Sequence, residues 1–119
     1  MRKIELLVIS AIRNKQSVHI GGGDDIHFSW RIFNHFMHYR LRGSTIATFD
    51  NRRLTLTDCG RHSVTFKSRL NAIAYAFNLP ITFCLKDKTM VLLVDGIQTE
   101  ERHFRMEWNG VSISVDVIL

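Results

Sequence analysis

The dipeptide Asn109-Gly110 and the residues on either side of it constrain this chain most. Asn-Gly is the preferred pair for a two-residue type I′ hairpin turn, because both turn residues need positive φ. A hairpin centred there sets Trp108 against Val111, Met106 against Ile113 and Phe104 against Val115. Strand side chains alternate between faces, so these six share one face. Glu107, Ser112, Arg105, Ser114, His103 and Asp116 share the other. One apolar face and one polar face describe an antiparallel sheet covered on one side only.

Two segments are suited to cover it. Ile4, Leu7, Val8, Ala11 and Ile12 recur at helical spacing and predict a helix of about three turns. Leu6 and Ile9 lie off that stripe, and a strand is the alternative there. The second helix is expected from Phe66 to Phe77, with Thr65 as its N-cap. Leu70, Ile73, Ala74 and Phe77 are on its buried side, and Asn78 and Pro80 stop it. Between the helices, Ser17 to Ile20 reads as a short strand and Gly21 to Asp25 as a turn. Ile26, Phe28 and Trp30 alternate as a half-buried strand does. Ile32 to Arg40 fits either a helix or a strand. Leu41 to Phe49 and Leu54 to Thr57 read as a hairpin around residues 50–53. From Ile81 onward the chain reads as a β-meander, with Asp87-Lys88 as its first turn. The expected fold is therefore α+β, an antiparallel sheet of about five or six strands with a C-terminal β-meander, covered on one face by two helices.

A chain of 119 residues with 45% hydrophobic and 23% charged residues makes one globular domain, 1–119. Its apolar runs are far shorter than the roughly 20 residues a membrane helix needs. Arg2, Lys3, Glu5, Arg13 and Lys15 break up the N-terminal stretch, which argues against a signal peptide. The expected location is the bacterial cytoplasm, with Cys59 and Cys84 as reduced thiols.

The charge is uneven. Residues 31–70 hold eight basic side chains (Arg31, Arg40, Arg42, Arg52, Arg53, Arg61, Lys67, Arg69) against Asp50 and Asp58, a balance of +6 within a net charge of +5. Seven of the eight are arginine, the residue best shaped for bidentate contact with phosphate or carboxylate. Such a cluster suits nucleic acid or an acidic protein, though a solvated basic face is the simpler reading. Thr65, Lys67, Ser68 and Arg69 add hydroxyls and cations at a helix start, where backbone N–H groups favour anions. Plain N-capping also accounts for that pattern. The expected partner- or anion-binding residues are Arg40, Arg42, Arg52, Arg53, Arg61, Thr65, Lys67, Ser68 and Arg69.

Other chemistry is weaker. Gly22-Gly23-Asp24-Asp25 between two strands resembles the carboxylate hairpin of nucleotide-cyclase and polymerase palms, which holds divalent ions. The earlier strand carboxylate of those palms has no counterpart here, so a glycine turn is the simpler reading. The histidines His19, His27, His35, His38, His62 and His103 lack the cysteine pairs or intervening glutamate of zinc patterns. His35 and His38 would share a face only on a helix. Cys59 has His62 nearby in sequence, yet turn geometry accounts for Cys59-Gly60. No catalytic residue, metal or cofactor is expected.

One segment carries a resemblance. Gly43-Ser44-Thr45-Ile46-Ala47, Leu54 to Gly60 and Thr65-Phe66-Lys67-Ser68-Arg69-Leu70-Asn71-Ala72 resemble small proteins of tailed bacteriophages. Their pattern runs G-x-x-I-A, a short strand, C-G-W-x-T and T-T-K-S-R-L-N-A. Arg61, Ser63 and Phe66 depart from it. The resemblance implies a phage or prophage origin and carries no activity with it. The reading that follows is a non-enzymatic phage-type accessory protein. It would bind and modulate a host nucleic-acid-processing or defence complex, as an anti-CRISPR-like inhibitor does. The expected partner is a host protein or ribonucleoprotein complex, with no membrane and a homodimer as a further option. Direct DNA or RNA binding through the basic 40–69 patch is the alternative. A small metal-dependent nuclease using Asp24, Asp25 and histidines is a weaker one.

Overall fold

The computed structural model describes residues 3–31, 34–50, 53–56, 59, 61, 63–94, 97–99, 104–108 and 113–117. The chain runs α1 (Lys3–Arg13), β1 (Val18–Ile20), β2 (Asp24–Arg31), β3 (Asn34–Leu41), β4 (Ser44–Asp50) and β5 (Arg53–Leu56). It continues with α2 (Val64–Ala76), β6 (Ile81–Lys86), β7 (Thr89–Val94), β8 (Ile97–Thr99), β9 (Phe104–Trp108) and β10 (Ile113–Val117). The fold is α+β, as the patterning predicts. The strands divide into a seven-stranded sheet, β1-β2-β3-β4-β5-β9-β10, and a three-stranded sheet, β6-β7-β8. All pairings are antiparallel. The C-terminal meander is thus split. Its first three strands pair among themselves, and its last hairpin extends the main sheet at β5.

Helix α1 forms where the apolar spacing places it, with Glu5 in the first turn and Arg13 in the last, as the helix dipole favours. Its orientation differs from expectation. Val8, Ile9, Ala11 and Ile12 are buried, while Leu6 and Leu7 are about half exposed. Ile9 replaces Leu7 on the core side because α1 packs against α2 as well as toward the sheet. Both helices end in a left-handed residue. Lys15 has φ 52° and Gln16 N–H returns to Ala11 C=O at 2.9 Å. Asn78 has φ 55° and Leu79 N–H returns to Ala74 C=O at 2.9 Å. This six-to-one bond after a left-handed residue satisfies carbonyls that the helix leaves unpaired.

Helix α2 starts two residues earlier than predicted. Ser63, not Thr65, is the N-cap, and its Oγ accepts the Phe66 N–H at 3.2 Å. Eight of the 13 helical residues are buried: Phe66, Ser68, Arg69, Leu70, Ala72, Ile73, Ala74 and Ala76. A helix buried nearly all round sits inside the molecule rather than on it. Here α2 contacts α1 on one side and β6 on another, and its apolar residues join the sheet core. That core takes Ile26, Met37, Tyr39, Leu41, Ala47, Leu54 and Leu56 from the seven-stranded sheet, and Ile81, Phe83, Met90 and Leu92 from the smaller one.

Tight turns set the registers. Ile32 to Arg40 resolves to strand over Asn34–Leu41, which removes the helical spacing on which a His35–His38 pairing rests. Arg42 (φ 51°) and Gly43 (φ 81°) form the turn into β4, so Leu41 belongs to β3. Gly23 (φ 115°) lies against that turn and accepts the Arg42 N–H at 2.8 Å. A Cβ there would meet Arg42 Cγ at 3.1 Å and Arg42 backbone at 3.3 Å. Asp87 (φ 52°) and Lys88 (φ 60°) make the expected turn without a glycine. A left-handed non-glycine residue costs about 1–2 kcal/mol. Lys88→Gly should therefore raise stability by up to about 1 kcal/mol. Urea unfolding checks this, and a lowered midpoint would contradict the assigned turn.

The last hairpin pairs Trp108 with Ile113, Met106 with Val115 and Phe104 with Val117. That register lies two residues from the expected one. A shift of two keeps every residue on its face, because side chains alternate with period two. The turn itself, 109–112, lies outside the described residues.

Candidate binding surface

The expected anion site at the start of α2 is largely consumed by the fold. Asp24, at the start of β2, is 1% exposed and faces the helices. Its Oδ1 accepts the Tyr39 hydroxyl at 2.6 Å and Arg69 Nε at 2.8 Å. Arg69 Nη1 donates to Ser68 Oγ at 3.1 Å, and Ser68 Oγ donates to Glu5 at 2.7 Å. This chain of bonds ties α1, α2, β2 and β3 together. Burial is the main cause that pushes the Tyr39 hydroxyl well above the ordinary tyrosine range, and the Asp24 carboxylate adds to it. Tyr39 therefore stays protonated and keeps donating.

Arg69 and Ser68, expected to face a partner, are instead buried. Leu70 and Ala72 are core. Asn71 pairs with the backbone of β6: its Oδ1 accepts Phe83 N–H at 2.6 Å and its Nδ2 donates to Phe83 C=O at 2.8 Å. The phage-like run Lys67 to Ala72 thus organises the interior. Among its polar side chains, that of Lys67 makes no hydrogen bond or ion pair to another described residue, and Lys67 is half-buried. Thr65 is half-buried in the first turn. Arg61 is exposed, with its guanidinium 5.8 Å from the centre of the Phe66 ring. Arg52 and the side chain of Arg53 lie outside the described residues, although Arg53 is opposite Asp50 in the register of β5.

The Asp24-Asp25 pair is divided by strand alternation. Asp24 points inward, while Asp25 is exposed and paired with His19. Two carboxylates on opposite faces do not hold one ion. No three His, Cys, Asp or Glu side chains converge as a metal set among the described residues. Cys59 and Cys84 are not joined, and Cys59 donates to Thr45 C=O at 3.2 Å.

The surface that patterning alone did not single out is the other face of the seven-stranded sheet. Asp25, His27, Arg40 and Thr48 are exposed on it, and Ser29, Phe36, His38, Thr45 and Thr55 are half-buried. Register sets His19 opposite Asp25, Asp25 opposite Arg40, and His27 opposite His38. His38 Nε2 lies 3.1 Å from Thr45 Oγ1. Arg40 and, at the rim, Arg42 are exposed and have no hydrogen bond or ion pair among the described side chains. The signal was present in the sequence as alternate polar positions in β2 and β3, Asp25 and His27 against His38 and Arg40.

The fold and these two features define an α+β protein with an ionic network in its core and a polar sheet face that no other described element covers. The chain belongs to the family described as Kyanoviridae Gp96 protein, whose family model matches residues 1–113. This is a phage protein family, which bears out the phage origin implied by the segment Gly43 to Ala72. No curated protein and no solved structure matches the chain.

Proposed function

We propose that this is a non-enzymatic phage accessory protein that binds and modulates a host nucleic-acid-processing or defence complex in the infected cell. Its contact surface is the open face of the seven-stranded sheet, with Arg40 on the face and Arg42 at the rim. The observation that carries this reading is the division of polar groups. Those of Ser68, Arg69 and Asn71 are satisfied inside the fold. The guanidinium groups of Arg40 and Arg42 lie on exposed residues, and no hydrogen bond or ion pair to another described residue engages them. Polar groups bonded within the core hold the fold together, whereas unengaged arginines on an uncovered face are suited to a partner's carboxylates or phosphates. Membership of a phage family supports a target in the host.

Capture from host lysate, with and without nuclease, tests the proposal. The expected result is one defined complex, retained by the native protein and lost from Arg40→Glu with Arg42→Glu. Both positions are exposed, so the variant's thermal midpoint should stay within a few degrees of the native value. Retention by that variant, with loss from Arg61→Glu and Lys67→Glu, would move the contact to the start of α2 and overturn the assigned surface.

A further inference from the structure

We infer that the open sheet face takes a single strand of nucleic acid, its bases stacking on β2 and β3 and its backbone meeting Arg40 and Arg42. This rests on the binding role proposed above and names what is touched within the host complex. Strand β3 carries Phe36, His38 and Arg40 on the open face at alternate positions. Alternate positions along a strand are about 6.7 Å apart. The register sets His27 of β2 directly beside His38, where Cβ atoms lie about 5 Å apart. The exposed His27 and Arg40 therefore flank the half-buried His38 and Phe36 in one patch of flat groups, with His27 and Arg40 the most accessible of them. Bases stack on rings of this kind, histidine and arginine planes included.

Charge favours the same ligand. Of the acidic positions that the register puts on this face, Asp25 is engaged by His19, and Asp50 and Glu107 each lie opposite Arg53. Arg40 and Arg42 are left to meet phosphates, with the exposed Thr48 hydroxyl, opposite His38, as a further donor. A duplex fits less well, because reading its major groove takes an inserted helix or two-stranded ribbon, and this surface is a broad sheet. An acidic protein fits less well too. Two arginines are a small fixed charge, whereas flat rings make up most of the patch.

Fluorescence anisotropy with labelled oligo-dT and oligo-U of about 16 nucleotides, the upper end of single-domain site sizes, tests the inference. A duplex of equal length and polyglutamate serve as comparison probes. The expected result is single-strand binding at low salt, at least about ten-fold tighter than to the duplex, with polyglutamate weaker still. His27→Ala and Arg40→Ala should each weaken single-strand binding by roughly five- to a hundred-fold. Their unchanged melting curves would show the effect is local. Equal binding of duplex, or single-strand affinity unmoved in both variants, would overturn the inference. If the oligonucleotides fail to bind while the host complex is still captured through Arg40 after nuclease treatment, the single-strand assignment falls and the binding role stands. If the complex is not captured either, both fall.

Discussion

Arg69→Met should lower the free energy of unfolding by about 3–5 kcal/mol, the usual result of removing one partner from a buried ion pair. The reason is the charge left behind. Asp24 is 1% exposed, and Arg69 Nε at 2.8 Å is its cationic partner among the described residues. Without the guanidinium, the carboxylate stays in the core with the Tyr39 hydroxyl as its side-chain donor among the described residues. A domain of this size has about 5–15 kcal/mol of stability in all, so the variant sits near the edge of folding. Lys67→Ala, two positions away and half-buried, should change stability by no more than about 0.5 kcal/mol. Asp24→Asn added to Arg69→Met should recover at least about 1 kcal/mol, because the neutral amide still accepts from Tyr39 and no buried charge remains. Urea unfolding of the four proteins measures all of this. If Arg69→Met costs no more than Lys67→Ala, the buried pair is wrongly assigned. The same reasoning disqualifies Arg69 as a probe of partner contact, since charge reversal there would unfold the protein before it tested any surface.

From sequence alone Arg69 reads as a surface residue. A balance of +6 over residues 31–70 counts its charge but not its partner, because Asp24 lies 45 residues upstream and outside that window. A signal was available. Phe66, Arg69, Leu70 and Ile73 fall at i, i+3, i+4 and i+7, which places the arginine on the apolar stripe of its own helix. A cation on such a stripe needs a buried anion, and Asp24, which alternation puts on the same face as Ile26, is a candidate. Local features were the most legible. The helices and the turn at Asp87-Lys88 came from spacing and turn chemistry, and strand faces came from alternation. Pairing between strands was not legible in the same way. Alternation says which residues share a face but not which strand lies alongside, so the split of the meander into two sheets left no trace in the pattern. The orientation of α1 was ambiguous for a related reason. Apolar residues surround Leu7 and Ile9, and only the packing of α2 decides which of the two goes inside.

Asn71→Ala is the second large effect, with an expected loss of about 2–4 kcal/mol. Strand β6 lies at one side of the three-stranded sheet, and the backbone groups of Phe83 that point away from β7 turn toward α2. The Asn71 amide meets them there, accepting Phe83 N–H at 2.6 Å and donating to Phe83 C=O at 2.8 Å. Phe83 itself is 4% exposed in the core, so alanine at 71 takes the Asn71 partner from a donor and an acceptor that have little access to water. Each such group costs about 1–3 kcal/mol when stranded, and partial hydration brings the sum below the upper limit. Asn71→Asp separates the two bonds. A carboxylate still accepts the N–H, but it sets negative charge against the Phe83 carbonyl, and it should destabilise at least as much as alanine. Hydrogen exchange gives the local readout. The Phe83 amide should lose protection in Asn71→Ala by more than the amide of Leu92, its partner within the small sheet. Unchanged protection at Phe83, with unchanged stability, would contradict the pairing. A loss confined to β6 through β8, leaving β2 and β3 protected, would show that Asn71 fastens the small sheet to α2. It would also show that the face carrying Arg40 does not depend on that link.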